Sequence, residues 1–133
     1  MHYYGLVQAF EHATLMDIHF AEARKALLQP GIQVENTGTK LSQYGVPMAC
    51  LNVTFADKTN QNVMIGTHYI DQILEDPKFP KGFSEVRTTL CLAREKATQY
   101  AVAEYERRER ELDESFAKFK DRIKTGLKRL LSL

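Results

Sequence analysis

Residues 31–70 read GIQVENTGTKLSQYGVPMACLNVTFADKTNQNVMIGTHYI, and the period of their apolar residues decides the fold. Leu51, Val53 and Phe55 alternate with Cys50, Asn52 and Thr54. A period of two is the signature of a strand with one buried face. The polar run ADKTNQ (56–61) supplies a turn before Asn62–Gly66 runs back. ENTG (35–38) reads as a second turn, following a short strand over Ile32–Glu35. Three or four antiparallel strands in a meander account for residues 31–67. A sheet of that size must bury its apolar side against another element.

The cover lies upstream. Leu6, Ala9, Ala13, Met16, Phe20, Ala23 and Leu27 recur at steps of three and four, one face of a helix over about residues 6–28. Gln29-Pro30-Gly31 stops it, because proline cannot continue a helix and glycine tolerates the reversal. HYYG (2–5) fits a helix start or a strand equally well.

Downstream, HYIDQILED (68–76) fits a short helix and PKFPKG (77–82) a connector. Ser84 is an N-cap candidate. No proline follows it, and Gly126 is the only later glycine. The helix formers Ala, Leu, Glu, Arg and Lys dominate, so the pattern predicts one helix over about 84–131, on the order of 70 Å if continuous. The expected fold class is therefore α+β: an N-terminal helix packed on a small three- to four-stranded antiparallel sheet, then a long C-terminal helix. Residues 1–83 form the α+β head, and residues 84–133 form the long helix or a helical hairpin.

That helix changes character along its length. Val86, Leu90, Ala93, Ala97 and Tyr100 or Ala101 form one apolar stripe. Leu112, Phe116, Phe119, Ile123, Leu127 and Leu130 or Leu131 form another. Between them EYERRERELDE (104–114) is almost wholly polar, and the two stripes do not join in phase, which predicts two burial surfaces or a bend near 105–111. Glu104–Arg108, Glu106–Arg110 and Glu114–Lys118 each set an acid four residues before a base, the order that supports a solvated helix. The second stripe covers an arc of roughly 120°. Basic residues border it: Lys118, Arg122 and Arg129 along one edge, Lys120, Lys124 and Lys128 along the other. Their methylenes can lie over the apolar stripe while their charges stay in water.

Composition narrows the function classes. The chain has 133 residues, 44% hydrophobic and 26% charged, with a formal net charge of +1, values of an ordinary globular chain that needs no metal or disulfide framework. Residues 1–83 carry six Lys/Arg against eight Asp/Glu, whereas residues 84–133 carry twelve against nine. The positive surplus lies in the last turns. The opening residues lack the basic, apolar and small-residue sequence of a secretory signal, and no apolar run approaches the roughly 20 residues of a membrane span. The expected location is the cytoplasm, of the cell itself or of an infected host.

No cofactor motif emerges. His12 and His19 share a helix face with Glu22 nearby, but two turns of separation is too wide for one metal ion. Cys50 and His68 would have to meet in space to act as nucleophile and base. GTK (38–40) lacks the first glycine and spacer of a phosphate loop, and no nucleophile elbow, zinc-protease or EF-hand pattern occurs. With no cofactor and no catalytic set, the sequence reads as a non-enzymatic interaction protein. The expected type is an adaptor or inhibitor, in the manner of small phage or mobile-element products, that homodimerises through the Leu112–Leu130 stripe and occupies a surface on a heterologous protein. The alternative is a nucleic-acid-binding accessory protein using Lys118, Lys120, Arg122, Lys124, Lys128 and Arg129 on phosphates.

Overall fold

The computed structural model describes residues 3–80 and 84–132. Their order is α1 (Tyr3–Leu27), β1 (Gln33–Leu41), β2 (Pro47–Thr54), β3 (Asn60–Gly66), α2 (Thr67–Leu74) and α3 (Glu85–Leu131). The fold is α+β, as the periodicities predict. The chain divides into two compact units, Met1–Ala101 and Val102–Leu133, with the division inside α3. The connector residues Lys81–Phe83, next to the sequence boundary at 83/84, lie outside the described residues.

In the first unit the sheet is a meander in the order β1-β2-β3, antiparallel throughout. Val34 pairs with Val53, Leu51 with Val63 and Ala49 with Ile65, so one face is apolar across all three strands. Ala49, Leu51, Val53, Val63 and Ile65 are buried there with Ala23, Ala26 and Leu27 of α1, Ile70 and Ile73 of α2, Phe79, and Leu90 and Ala93 of α3. α1 lies mainly on β3. The close approach depends on Gly66, where a Cβ would fall 2.9 Å from Met16 Cε and 2.7 Å from His68 Cε1.

Both hairpins close with the same turn. In the first, Gly45 N–H donates to Ser42 O and Ser42 N–H to Val46 O; in the second, Lys58 N–H donates to Phe55 O and Phe55 N–H to Thr59 O. This is a tight turn followed by one left-handed residue. Gly45 holds that position with φ 77° in the first hairpin, and Lys58 holds it with φ 72° in the second.

Two expectations change. ENTG does not end β1, which continues to Leu41 through a bulge between Asn36 and Gly38. The extra residue, Thr37, donates its hydroxyl to Cys50 O, and Asn36 Oδ1 accepts Gly38 N–H, so the turn-forming residues are used inside the ladder. The α1 face is buried only from Met16 onward; Leu6, Ala9 and Ala13 are exposed. The physical reason is length: 25 helical residues extend about 37 Å, whereas the seven residues of β3 extend about 24 Å.

Ion pairs and caps hold the periphery. Asp76 accepts Lys78 N–H and the Arg24 guanidinium at 2.7 Å, which together hold its carboxyl below the usual carboxylate range. Tyr69 donates to Asp17 Oδ1 at 2.6 Å and stacks on Phe20 at 4.5 Å. Arg94 pairs with Asp71. Ser84 Oγ accepts Arg87 N–H at 3.1 Å, the N-cap of α3.

Candidate functional site

The second unit consists of α3 from Val102 onward, and every described residue from Val102 to Leu131 is helical, including 105–111. Its middle section is self-sufficient in water. Arg107 pairs with Glu104 and, at 2.5 Å, with Glu111, while Arg108 reaches Glu104 at 3.3 Å. Of the three predicted four-residue pairs, Glu104–Arg108 forms; Glu106–Arg110 and Glu114–Lys118 are not within ion-pair distance. Arg107 takes the central place instead. Its hydrogen bonds hold the Glu104 carboxyl below the usual range.

Beyond this section the helix carries large apolar side chains toward solvent. Leu112, Phe116, Phe119, Ile123, Leu127 and Leu130 run from 48% exposed at Ile123 to 71% at Leu112. At 100° per residue all six fall within a single arc. Leu112 to Ile123, Phe116 to Leu127 and Phe119 to Leu130 are each eleven residues apart. Eleven residues make slightly more than three whole turns, so the stripe runs nearly straight along the helix. A shallow recess of about 450 Å³ is lined by Leu112, Asp113, Ser115, Phe116 and Phe119.

Lys118, Lys120, Arg122, Lys124, Lys128 and Arg129 are exposed on the flanks. Lys120 Nζ lies 4.7 Å from the centre of the Phe116 ring, a cation–π contact that lays the basic side chain over the stripe. The helix is bipolar in charge. Residues 104–114 hold six acids and three bases, whereas residues 118–129 hold six bases and one acid. Tyr105, 67% exposed and seven residues before Leu112, continues the seam upstream. Sequence reading left it out because its neighbours are charged, although the seven-residue step was there to find.

Three of the candidates for chemistry in the first unit, His12, His68 and Cys50, have defined surroundings. His12 Nε2 hydrogen-bonds Ser42 Oγ at 2.9 Å, and its ring meets Tyr44 edge-on at 4.7 Å. His68 packs on Tyr69 at 4.2 Å. Cys50 is half-buried and makes no hydrogen bond to His68; burial pushes its thiol up, and nearby Lys40 only partly offsets this. A raised thiol is a poor nucleophile at neutral pH. Among the described residues no three His, Cys, Asp or Glu side chains converge as metal ligands would. A cleft of about 390 Å³ between the starts of β1 and α3 is lined by Gln33, Glu35, Asn52, Thr54, Glu85 and Thr89 with three aliphatic neighbours. Among the described residues no cysteine, serine, lysine or histidine lines it.

Among the described residues no helix is long and apolar enough to cross a membrane. Comparison of the chain with known protein families, with curated proteins and with solved structures finds no match.

Proposed function

We propose that this chain is a non-enzymatic interaction protein that self-associates through α3 and acts by occupying a surface on a second macromolecule. The observation that carries the reading is the Leu112–Leu130 stripe: six large apolar side chains, each about half exposed or more, on one arc of one helix. Taking each at about 200 Å² of surface, they offer on the order of 600 Å² of apolar area per chain. That is near the roughly 800 Å² each partner contributes to a standard interface. An exposed contiguous patch of this size marks an interaction surface.

The test is the molar mass of the full chain in solution, by sedimentation equilibrium across micromolar concentrations. The parent protein is expected as a dimer, and Phe119→Asp or Ile123→Asp as a monomer with helical content retained, because a carboxylate in the seam is left without a partner. A parent protein that stays monomeric at every concentration would overturn the reading.

The basic flank favours a second reading, a nucleic-acid accessory, with Lys118, Lys120, Arg122, Lys124, Lys128 and Arg129 on phosphates. Six phosphate contacts predict a slope of roughly −5 in log affinity against log salt. Binding to duplex or single-stranded nucleic acid that is absent, or flat with salt, would remove it.

A further inference from the structure

Resting on that self-association, we infer that the partner on the stripe is a second copy of α3 running antiparallel, in the register that places residue i of one chain level with residue 235 − i of the other. Three observations select this arrangement over a parallel one.

The first is the spacing of the seam. Tyr105, Leu112, Phe116, Phe119, Ile123 and Leu130 are separated by seven, four, three, four and seven residues, which reads the same in both directions. Reversing one helix therefore sets Phe116 on the partner's Phe119, Leu112 on the partner's Ile123 and Tyr105 on the partner's Leu130. Each of these six meets another large side chain, while Leu127 stands beside this line, level with the partner's Arg108.

The second is the interruption of the seam. Continuing its heptad spacing puts Glu109 and Gly126 on the same line. In the antiparallel register Glu109 lies level with the partner's Gly126, which has no side chain and open space around its Cα. In a parallel pair the two Glu109 carboxylates would face each other across the apolar line, an arrangement that repels.

The third is charge. The acidic section 104–114, net −3, lies along the partner's basic section 118–129, net +5. A parallel pair would set +5 against +5. Within the antiparallel register the edges match individually. Glu111 comes beside the partner's Arg122, Glu104 beside the partner's Arg129 and Asp113 beside the partner's Lys120, each edge of the stripe facing the same edge of the other helix. Arg108 beside the partner's Arg129 is the opposing contact, outnumbered by the favourable ones.

The experiment is the distance between the two copies of one spin label at Ser132→Cys in the full chain, with Cys50→Ser and Cys91→Ala removing the native thiols. The antiparallel register sets the two labelled positions 29 residues apart along the axis, about 44 Å at 1.5 Å per residue. A pulsed dipolar distance centred near 40–50 Å is the expected result. A distance of about 10–20 Å, which side-by-side ends at a helix spacing of 8–10 Å would give, overturns the antiparallel arrangement and leaves self-association standing. No intermolecular distance at concentrations well above micromolar overturns self-association as well. The native chain supplies a control that needs no substitution. Zero-length carbodiimide coupling of mixed light and heavy isotopic protein should yield an intermolecular Asp113–Lys120 link, and intermolecular links confined to residues of similar number would count against the register.

Discussion

The two hairpins contain a controlled comparison. Their turns share one hydrogen-bond pattern, yet the left-handed position is glycine at 45 and lysine at 58. An L-residue with a side chain costs roughly 1–2 kcal/mol in that conformation. Lys58 is exposed and makes no ion pair among the described residues, so its replacement removes no such contact. Lys58→Gly therefore releases the strain, less the roughly 0.5–1 kcal/mol of extra unfolded-chain freedom that glycine brings. The net gain should be about 0.5–1 kcal/mol, or about 2–4 °C in melting midpoint for a chain of this size. Gly45→Ala should move stability the other way by about 1 kcal/mol, and purely through the backbone, because a Cβ at Gly45 meets no atom within 4 Å. Urea unfolding followed by tyrosine fluorescence, which reports Tyr44 and Tyr69 in the head, measures both at one fixed protein concentration. If Lys58→Gly lowers the midpoint, or both substitutions shift it in the same direction, the assignment of strain to position 58 is wrong.

Three further outcomes follow from individual contacts. Ser84→Ala removes the N-cap of α3 and should cost about 1 kcal/mol in the same urea assay, with Ser84→Asp close to neutral. Gly126→Ala, made in the Phe119→Asp chain so that no partner helix faces the methyl group, should raise the helicity of α3 by about 0.8–1 kcal/mol of local propensity, seen as a stronger 222 nm circular dichroism signal on heating. Asp76 is held below the ordinary carboxylate pKa first by Lys78 N–H and then by Arg24, so its contribution is present above about pH 4 and is lost as pH falls through its lowered folded value. Asp76→Asn should therefore lower the melting midpoint at pH 7 and flatten its decline in acid; an acid limb identical to the parent's would show that Asp76 does not shape it.

Local signals carried most of the architecture into view from sequence. The change of period at residue 31, the Gln29-Pro30-Gly31 stop and Ser84 before a proline-free run are all decided within a few residues of themselves. The misread places depend on partners far along the chain. ENTG has the composition of a turn, and only the unbroken ladder with β2 makes it a bulge. Leu6, Ala9 and Ala13 have core spacing, but what they could pack on ends with the sheet. Arg24 with Asp76, and His12 with Ser42, join elements whose proximity no local pattern encodes. The stripe on α3 was legible because amphipathic spacing is local. The antiparallel pairing proposed above rests on a longer pattern, the heptad line from Tyr105 to Leu130, which the charged neighbours of Tyr105 obscure in sequence.

The bulge in β1 bears on how such a molecule avoids unwanted company. β1 is an edge strand, and an edge with free backbone N–H and C=O groups invites another strand to add to it. The unpaired Thr37, the glycine beside it and Lys40 two residues on break the regular rise of that edge, so an incoming strand cannot stay in step along it. If association is the work of a helix, the sheet must remain closed to it. A straightened edge, with Thr37 deleted to restore continuous pairing, is where fibrous growth through β1 would begin.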